Sequence, residues 1–267
     1  MVLQVEIDKH VALVRLNRTE ARNSLNPELI VRLAECWQSL RDDVDVRAIV
    51  LTGAEGSTFC AGFDLGRFIP LLTGARQAED EWDHRIVADG GLAGRATLRD
   101  FDLERPLIVA ANGHAIAGGM ELLLAGDLRL VAAGARLGLS EVRLGLIPAM
   151  GGTARLARLM PPALAAELLL TGSPIAAERA LEAGFVNRCE APERVLDTAL
   201  ELAREIAANA PLAVQAARDV MRRSADLSVV EALALEAEHS QKLAATEDAV
   251  EGPRAFLEKR PPVFQGR

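Results

Sequence analysis

The chain has 267 residues, of which 50% are hydrophobic and 25% charged, and its formal net charge is −8. This composition suits a globular protein with an ordinary buried core, whereas the negative charge argues against general nucleic-acid binding, which needs a basic face. Because no apolar run approaches the length of a bilayer-spanning helix, we expect no membrane segment.

Cysteine and histidine residues are few and scattered. With three cysteines, no CxxC pair and no HxH or HExxH spacing, the sequence predicts neither a disulfide scaffold nor a metal site. Reduced thiols, together with an N-terminus that lacks a signal-peptide pattern, are typical of a cytoplasmic protein. We therefore expect a cytoplasmic location.

The first half of the chain alternates strand and helix patterns. Short apolar runs predict strands at residues 11–16, 47–53, 107–112 and 127–131. Residues 27–40 repeat apolar side chains at helical spacing and place Trp37 on the apolar face, as a core anchor. This alternation favours an α/β fold with buried strands.

Residues 66–105 interrupt the alternation. The segment is charged, contains Gly90, Gly91 and Gly94, and shows only short helical patterns. A segment of this length without firm structure is usually functional or mobile. We interpret it as a mobile lid in which Trp82 supplies a large apolar contact. A disordered surface insertion, or an edge packed against another subunit, is the alternative.

The last quarter of the chain has an almost entirely helical pattern. Helices are predicted at residues 195–209, 211–223, 228–245 and just before Pro261. Ser228 and Glu231 have the spacing of a capping box. These patterns divide the chain into an α/β core, residues 1–191, and a helical region, residues 192–267.

Glu121 follows two glycines in a helix pattern that is otherwise apolar. Gly118 and Gly119 end a loop, and the first N–H groups of a helix carry a partial positive charge that suits an anion. Packing alone explains a glycine pair, but a buried helix rarely carries an acid without a reason. The Gly118 N–H is therefore a candidate oxyanion donor and Glu121 a candidate acid or base.

Glu141 and Phe63 are more ambiguous from local sequence. Glu141 lies beside a Leu-Gly-Leu-Ile-Pro segment, and a catalytic glutamate and a surface glutamate are equally good interpretations. Residues 57–65 read as an apolar loop that leads to Asp64. There Phe63 offers a second backbone donor, although a buried aromatic is the simpler interpretation, and Asp64 is most simply a loop or helix-capping residue.

Taken together, these motifs resemble one family. Residues 59–64 (Phe-Cys-Ala-Gly-Phe-Asp), 112–121 (Asn-Gly-x-Ala-x-Ala-Gly-Gly-x-Glu) and 141–152 (Glu-x-x-Leu-Gly-Leu-x-Pro-x-x-Gly-Gly) resemble the enoyl-CoA hydratase/isomerase, or crotonase, superfamily. The resemblance extends from about residue 11 to the C-terminus, and residues 66–105 are the part that does not match.

The resemblance implies an α/β fold in which repeated ββα turns form a crotonase-type spiral. The C-terminal helical region is then expected to build a homotrimer, or two trimers stacked as a hexamer. The resemblance also implies an acyl-CoA thioester as substrate, with coenzyme A as part of that substrate and no further cofactor.

Residue by residue, the resemblance makes Phe63 and Gly118 the two backbone donors that hold the thioester oxygen. It makes Glu121 the residue that orients and activates the water adding to C3 of a 2-enoyl-CoA, and Glu141 the residue that exchanges a proton at C2. Ser140 stands where hydratases often have proline, a departure that bears on the placement of the Glu141 carboxylate.

The pKa of a catalytic glutamate needs to rise from its ordinary value of about 4.3 for proton transfer near neutral pH. An apolar surround of Ile116, Met120, Leu139 and Leu144 is expected to raise it by desolvation.

The substrate-binding residues implied by the resemblance are Arg22, Ala61, Asp64, Leu65 and Lys259. Arg22 and Lys259 are predicted to contact CoA phosphates, the latter from a neighbouring subunit, with solvated surface cations as the alternative. Residues 66–105 follow the Phe63 loop directly, so they are predicted to cover the acyl end of the substrate.

Hydration is favoured over isomerisation because single-acid isomerases usually lack one of the two glutamates. Another acyl-CoA activity on the same scaffold is the main alternative. An RNA-binding member of the fold would need a lysine-rich helix, whereas residues 37–45 are acidic. A catalytically silent subunit would leave both glutamates without a role.

Overall fold

The strands form two sheets. The computed structural model describes residues 1–56 and 58–267, and within them a six-stranded and a four-stranded sheet are present. The strands are β1 (Leu3–Asp8), β2 (Val11–Leu16), β3 (Ala48–Gly53), β4 (Thr58–Cys60), β5 (Leu107–Ala111), β6 (His114–Ile116), β7 (Leu128–Ala132), β8 (Arg136–Gly138), β9 (Ile175–Ala176) and β10 (Arg188–Glu190).

The larger sheet has the strand order β1-β2-β3-β5-β7-β10, and all neighbours are parallel except the β1–β2 hairpin. The smaller sheet has the order β4-β6-β8-β9, with only β9 antiparallel. Successive turns of the chain add one strand to each sheet: β3 then β4, β5 then β6, β7 then β8. The turns therefore stack as a spiral, and the predicted crotonase-type α/β fold is confirmed.

Helices cover the sheets and fill the connections. They are α1 (Pro27–Asp42), α2 (Phe68–Leu72), α3 (Glu81–Ala88), α4 (Leu92–Ala96), α5 (Gly118–Ala125), α6 (Gly152–Leu159), α7 (Pro162–Thr171), α8 (Ala177–Glu182), α9 (Val195–Ala207), α10 (Pro211–Ser224), α11 (Val229–Leu243) and α12 (Glu247–Leu257). None of the helices in the described part of the chain combines the length and apolarity that a bilayer crossing needs.

The predicted strands in the larger sheet are confirmed within a residue. Every residue of β3 and of β5 is buried, as expected for parallel strands covered on both faces. Strand β1 was not predicted, because it is an edge strand in which only Leu3 is buried and polar residues alternate with apolar ones. Residues 58–60, predicted as part of a loop, form β4, and Ser57 lies outside the described residues.

Helix α1 is fixed at its start and in its middle. The Asn26 side chain accepts a hydrogen bond from Leu29 N (3.0 Å), and Pro27 occupies the first turn, where its missing N–H costs nothing. Trp37 is fully buried and its Nε1 donates to Ala96 O (2.8 Å). The prediction of Trp37 as a core anchor is confirmed, and its hydrogen bond ties α4 to α1.

Residues 66–105 are more ordered than the sequence predicted. They form α2, α3 and α4, and the last two pack against α1. Asp83 is fully buried and accepts hydrogen bonds from Arg76 Nη1 (2.5 Å) and Nη2 (2.9 Å). Trp82 packs against the core beneath the Arg32 guanidinium, 4.8 Å from the ring centre. The expected lack of firm structure is therefore wrong, whereas the predicted position of this segment over the acyl end of the substrate stays a prediction.

The C-terminal region is helical as predicted. The capping box is present: Ser228 N donates to Glu231 Oε2 (2.9 Å) and Glu231 N donates to Ser228 Oγ (3.3 Å). Helix α9 packs on β3 and β5 of the larger sheet, so it closes the core rather than standing apart from it. Helices α11 and α12 carry exposed apolar side chains at Val229, Val230, Leu233, Val250, Phe256 and Leu257.

Candidate active site

Three parallel strands of the smaller sheet end side by side at the candidate site. β4 pairs with β6, and β6 pairs with β8. The chain leaves β4 toward Phe63, β6 toward Gly118 and Glu121, and β8 toward Glu141. The carboxyl ends of parallel strands are where α/β sheets bind ligands, so the topology brings together the four residues that the sequence singled out.

Two backbone hydrogen bonds to Leu25 fix the orientation of the Phe63 N–H. Leu25 N donates to Gly62 O (2.8 Å), and Asp64 N donates to Leu25 O (3.0 Å). Because the C=O of Gly62 and the N–H of Phe63 point in opposite directions across their trans peptide bond, the Phe63 N–H lies on the opposite side from Leu25. Its ring stacks on Phe68, with the ring centres 4.8 Å apart.

Gly118 opens helix α5, so its N–H has no acceptor within that helix. Ala117 precedes it with φ of 51°, a conformation that turns the chain sharply out of β6. The Phe63 ring lies against Gly118: a Cβ at that position would meet ring carbons at 3.0 Å. The two predicted donors are thus neighbours in space.

Glycine is required where these two backbone segments meet. A Cβ on Gly119 would overlap the carbonyl group of Cys60. A Cβ on Gly62, whose φ is 97°, would lie 2.7 Å from the Ala117 Cβ and 3.1 Å from Gly118 N. Side chains at these two positions would force the two donor segments apart.

Glu121 is buried, with 1% of its surface exposed. Its Oε1 accepts hydrogen bonds from Met150 N (2.7 Å) and from Gly152 N (3.0 Å), at the start of α6. Burial raises the pKa of Glu121, although the backbone N–H groups of Gly152 and Met150 act against that shift. The carboxyl group is therefore fixed by one oxygen only.

Glu141 begins a short 3₁₀ helix, Glu141–Leu144, directly after β8. Its Oε2 is buried and has no hydrogen-bond partner among the described residues. Burial raises the pKa of Glu141 to about 7, and the nearby Glu121 carboxylate adds to that shift. A buried, unpaired carboxyl oxygen is costly, which is typical of a group that meets its partner only when a ligand binds.

The predicted apolar surround is partly correct. Met120 and Leu139 are fully buried and Ile116 is half-buried, but Leu144 is 57% exposed. The assignment of Leu144 is wrong, because the 3₁₀ helix turns that side chain outward. Burial nevertheless desolvates both glutamates.

Four of the five predicted substrate-binding residues lie around the Phe63 turn. Arg22 O accepts a hydrogen bond from Ala61 N (3.0 Å), and both Arg22 and Leu65 are exposed. The Asp64 carboxylate accepts from the N–H groups of Gly66 and Arg67, each at 2.9 Å. Asp64 is therefore a loop residue that fixes the turn before α2, as one of its two interpretations predicted, and the N-cap position of α2 is Arg67.

Lys259 lies just beyond α12, exposed, with φ of 53°. Within the described chain its backbone N–H donates to Phe256 O (3.1 Å), and its side chain forms no hydrogen bond or ion pair with the described residues. Its predicted role depends on a neighbouring subunit and stays a prediction. In the described part of the chain, no three His, Cys, Asp or Glu side chains converge as a metal site.

Three residues that position the candidate site, Met150, Gly152 and Arg18, were not predicted from the sequence. The partners of Glu121 are the N–H groups of Met150 and Gly152, although the Gly151-Gly152 pair had been noticed as a motif. Arg18 pairs with Asp64 at 2.7 Å and with Ser24 Oγ at 2.8 Å. Nothing in the local sequence links Arg18 to a residue 46 positions away.

Comparison with known proteins assigns the family. A family model described as enoyl-CoA hydratase/isomerase matches residues 6–267. The chain belongs to the enoyl-CoA hydratase/isomerase family. It is similar to a solved enoyl-CoA hydratase from Bacillus anthracis, with a TM-score of 0.90, 33% identity and full coverage of both chains. It is also similar to a solved enoyl-CoA hydratase from Mycobacterium tuberculosis (TM-score 0.87, 36% identity, 100% and 99% of the two chains).

The chain is also similar to proteins that are named as dehydratases of a CoA thioester. A carnitinyl-CoA dehydratase from Citrobacter koseri is 37% identical over 258 residues, which are 95% of this chain and 94% of that protein. A protein of the same name from Salmonella arizonae is 38% identical over 257 residues, with the same coverage. The relatives are thus named for adding or removing water in CoA thioesters.

Proposed function

We propose that this protein is an enoyl-CoA hydratase, which adds water across the C2=C3 double bond of a 2-enoyl-CoA thioester. The observation that carries the proposal is the pair of carboxyl groups with raised pKa, Glu121 and Glu141, beside two backbone N–H groups. Glu141 Oε2 is buried without a partner, and a substrate or a water would supply the partner.

The proposed reaction begins with the thioester oxygen at the N–H groups of Phe63 and Gly118. Glu121, as carboxylate, accepts a proton from a water while the water oxygen forms a bond to C3. The C2=C3 electrons then move into an enolate, whose oxygen charge the two N–H groups stabilise, each by about 3 kcal/mol. Glu141, as carboxylic acid, delivers a proton to C2 and completes the 3-hydroxyacyl-CoA.

The same site runs in reverse as a dehydratase. Glu141 would then take the C2 proton, and the hydroxyl group would leave from C3 with the proton held by Glu121. The relatives named carnitinyl-CoA dehydratase favour a second candidate of this kind, in which the acyl group carries a further substituent. The two candidates differ in the acyl group and not in the proposed chemistry.

The proposal includes an oligomeric assembly. The exposed apolar side chains of α11 and α12 form a surface of the kind that protein interfaces cover. We infer a homotrimer, or a hexamer of two trimers, in which these helices pack on a neighbouring subunit. A neighbour would also bring a second copy of Lys259 to the CoA site.

The function is tested with purified protein and a panel of 2-enoyl-CoAs of increasing chain length, following loss of the conjugated thioester absorbance. The panel includes a 3-enoyl-CoA, whose conversion to the 2-enoyl isomer reports isomerisation, and carnitinyl-CoA in the dehydration direction. Hydration of one or more 2-enoyl-CoAs with a kcat of about 1 per second or more, as is typical of enzymes, supports the proposal. Isomerisation without hydration would replace it with the alternative.

A further inference from the structure

A cavity of about 430 Å³ lies between the end of α5, helix α6 and helix α10. None of its lining residues is among the predicted site residues. Four arginines line it, Arg129, Arg155, Arg158 and Arg222, against one acidic residue, Asp127. This cation-rich cavity, named here the arginine cavity, occurs on a chain whose formal net charge is −8.

The guanidinium groups are held rigidly by backbone carbonyl groups. Arg129 Nε donates to Phe185 O and Arg129 Nη1 to Gly126 O, both at 2.7 Å. Arg155 Nη1 and Nη2 donate to carbonyl oxygens of Thr97 and Leu98. Carbonyl groups fix the positions of these two arginines without forming an ion pair with them.

The carboxylates of Asp127 and Asp226 already form ion pairs with other arginines. Asp127 pairs with Arg218 Nε and with Arg222 Nε, each at 2.9 Å. Arg158 pairs with Asp226 at 2.8 Å. Within the described part of the chain, Arg129 and Arg155 have no carboxylate within ion-pair distance.

The arginines also repel each other. Burial lowers the pKa of both Arg129 and Arg155, and the charge of Arg222 acts in the same direction on each. The Asp127 carboxylate acts against this shift at Arg129, and the Glu121 and Asp100 carboxylates act against it at Arg155. Confined like charges of this kind are stabilised by a bound anion, because charge-assisted hydrogen bonds from arginine to an oxyanion are strong. Leu124, Leu159 and Met221 supply an apolar wall beside the charges.

We propose that the arginine cavity binds a phosphate dianion, free or as the monoester of a small organic molecule. Arg129 Nη2 and Arg155 Nε donate to no described residue, and each is a hydrogen-bond donor suited to a phosphate oxygen. The apolar wall would contact the organic part of a monoester. The site is separate from the proposed catalytic site, and its existence does not depend on the proposed function.

The test is calorimetric titration of the full-length protein with inorganic phosphate, and in a second arm with glycerol phosphate, at constant ionic strength in a buffer without phosphate. We expect saturable binding of one phosphate per chain, and tighter binding of the ester than of phosphate if the ligand is a monoester. Absence of saturable binding in both arms overturns the proposal.

Two matched pairs of variants locate the binding. Arg158→Gln should weaken phosphate binding about tenfold, the loss of one charge-assisted contact. Arg179→Gln, which breaks a similarly exposed ion pair with Glu182, should leave binding unchanged. Equal weakening in both variants would show non-specific binding and overturn the proposal.

Met221→Glu places a carboxylate in the wall of the arginine cavity at an exposed position, so the fold has room for it. It should abolish phosphate binding and raise the melting temperature in phosphate-free buffer, because the carboxylate takes the place of the anion. Leu170→Glu, at an exposed apolar position on α7, should do neither. Phosphate binding that persists in folded Met221→Glu protein would place the anion elsewhere and overturn the proposal.

Discussion

The Glu121 carboxylate adds to burial in raising the pKa of Glu141, so the two groups share one electrostatic environment. Their hydrogen bonding differs. Glu121 Oε1 accepts two backbone N–H groups, which favour its charged form, whereas Glu141 Oε2 is buried without a partner among the described residues, which favours its neutral form. The difference suits Glu121 as base and Glu141 as acid in hydration.

Replacing either carboxyl group by an amide should remove most of the activity. Glu121→Gln and Glu141→Gln keep the shape of the side chain but cannot transfer a proton, and proton transfer typically contributes about 10²–10⁴-fold. We expect kcat to fall by about that factor while binding of coenzyme A is largely kept. Glu193→Gln, at an exposed position, is the control, and near-normal turnover in both catalytic variants would rule out the two-glutamate mechanism.

The hydration rate should depend on the protonation of Glu141. Because the pKa of Glu141 is about 7 and its acid form is needed to protonate C2, kcat for hydration should decline as pH rises above about 7. The rate of dehydration, which needs the base form, should rise over the same range. A hydration profile that stays flat into the alkaline range would contradict this role.

The free energy of unfolding should also depend on pH through the raised pKa of Glu141. The pKa of Glu141 is raised from 4.5 to about 7 on folding, so the folded chain binds a proton more tightly than the unfolded chain. Its contribution to stability is therefore fully present below pH 4.5 and is lost as pH rises toward 7. Glu141→Gln should flatten this part of the unfolding free energy curve, measured by urea denaturation across that pH range.

Gly119→Ala should damage both the fold and the donor pair. The new Cβ would overlap the carbonyl of Cys60, which we expect to cost about 1–3 kcal/mol by overpacking and to displace the Gly118 N–H. Gly90→Ala is the matched control, since a Cβ there meets nothing within 4 Å. A Gly119→Ala protein with unchanged unfolding midpoint and unchanged kcat would contradict the close approach of the two segments.

Arg22→Ala and Lys259→Ala should each raise KM for the CoA thioester with little change in kcat. Contacts with the CoA phosphates are remote from the reacting atoms and are shared by the ground state and the transition state. Steady-state kinetics on the best substrate checks both variants. An unchanged KM in both would assign these cations to the solvated surface.

The C-terminal helices should mediate assembly. Phe256 and Leu257 are 83% and 80% exposed in the single chain, so Phe256→Asp with Leu257→Asp should shift sedimentation equilibrium toward smaller species. Leu170→Asp, at an 80% exposed position on α7, is the control outside the C-terminal region. A variant that keeps the wild-type mass would place the interface elsewhere.

The sequence predicted the elements that carry strong apolar patterns and missed those that depend on distant contacts. Strands β3 and β5 are continuous apolar runs and were predicted within a residue. Helices α3 and α4 are too short for periodicity to reveal, and they are fixed by tertiary contacts such as the hydrogen bond from Trp37 to Ala96 O. The expected lack of firm structure in residues 66–105 was therefore wrong.

In the candidate site, too, residues in sequence motifs were predicted, whereas those positioned by distant contacts were not. The motifs placed Glu121, Glu141 and the two glycine-rich segments correctly in the fold, because they follow adjacent parallel strands. The backbone N–H groups of Met150 and Gly152 that bind Glu121, and the outward turn of Leu144, are set by how the chain returns after β8. Such backbone geometry leaves no local pattern in the sequence.

The central claim, that two glutamates add a water molecule to C3, is tested most directly in water enriched in ¹⁸O. The wild-type protein is incubated with its best 2-enoyl-CoA, and the products are analysed by mass spectrometry. We predict a 3-hydroxyacyl-CoA with one ¹⁸O at C3, formed rapidly by the wild-type protein and by Glu193→Gln and lost in Glu121→Gln and Glu141→Gln. Recovery of unlabelled 2-enoyl-CoA or of a 3-enoyl isomer alone, across the whole substrate panel, would contradict the account.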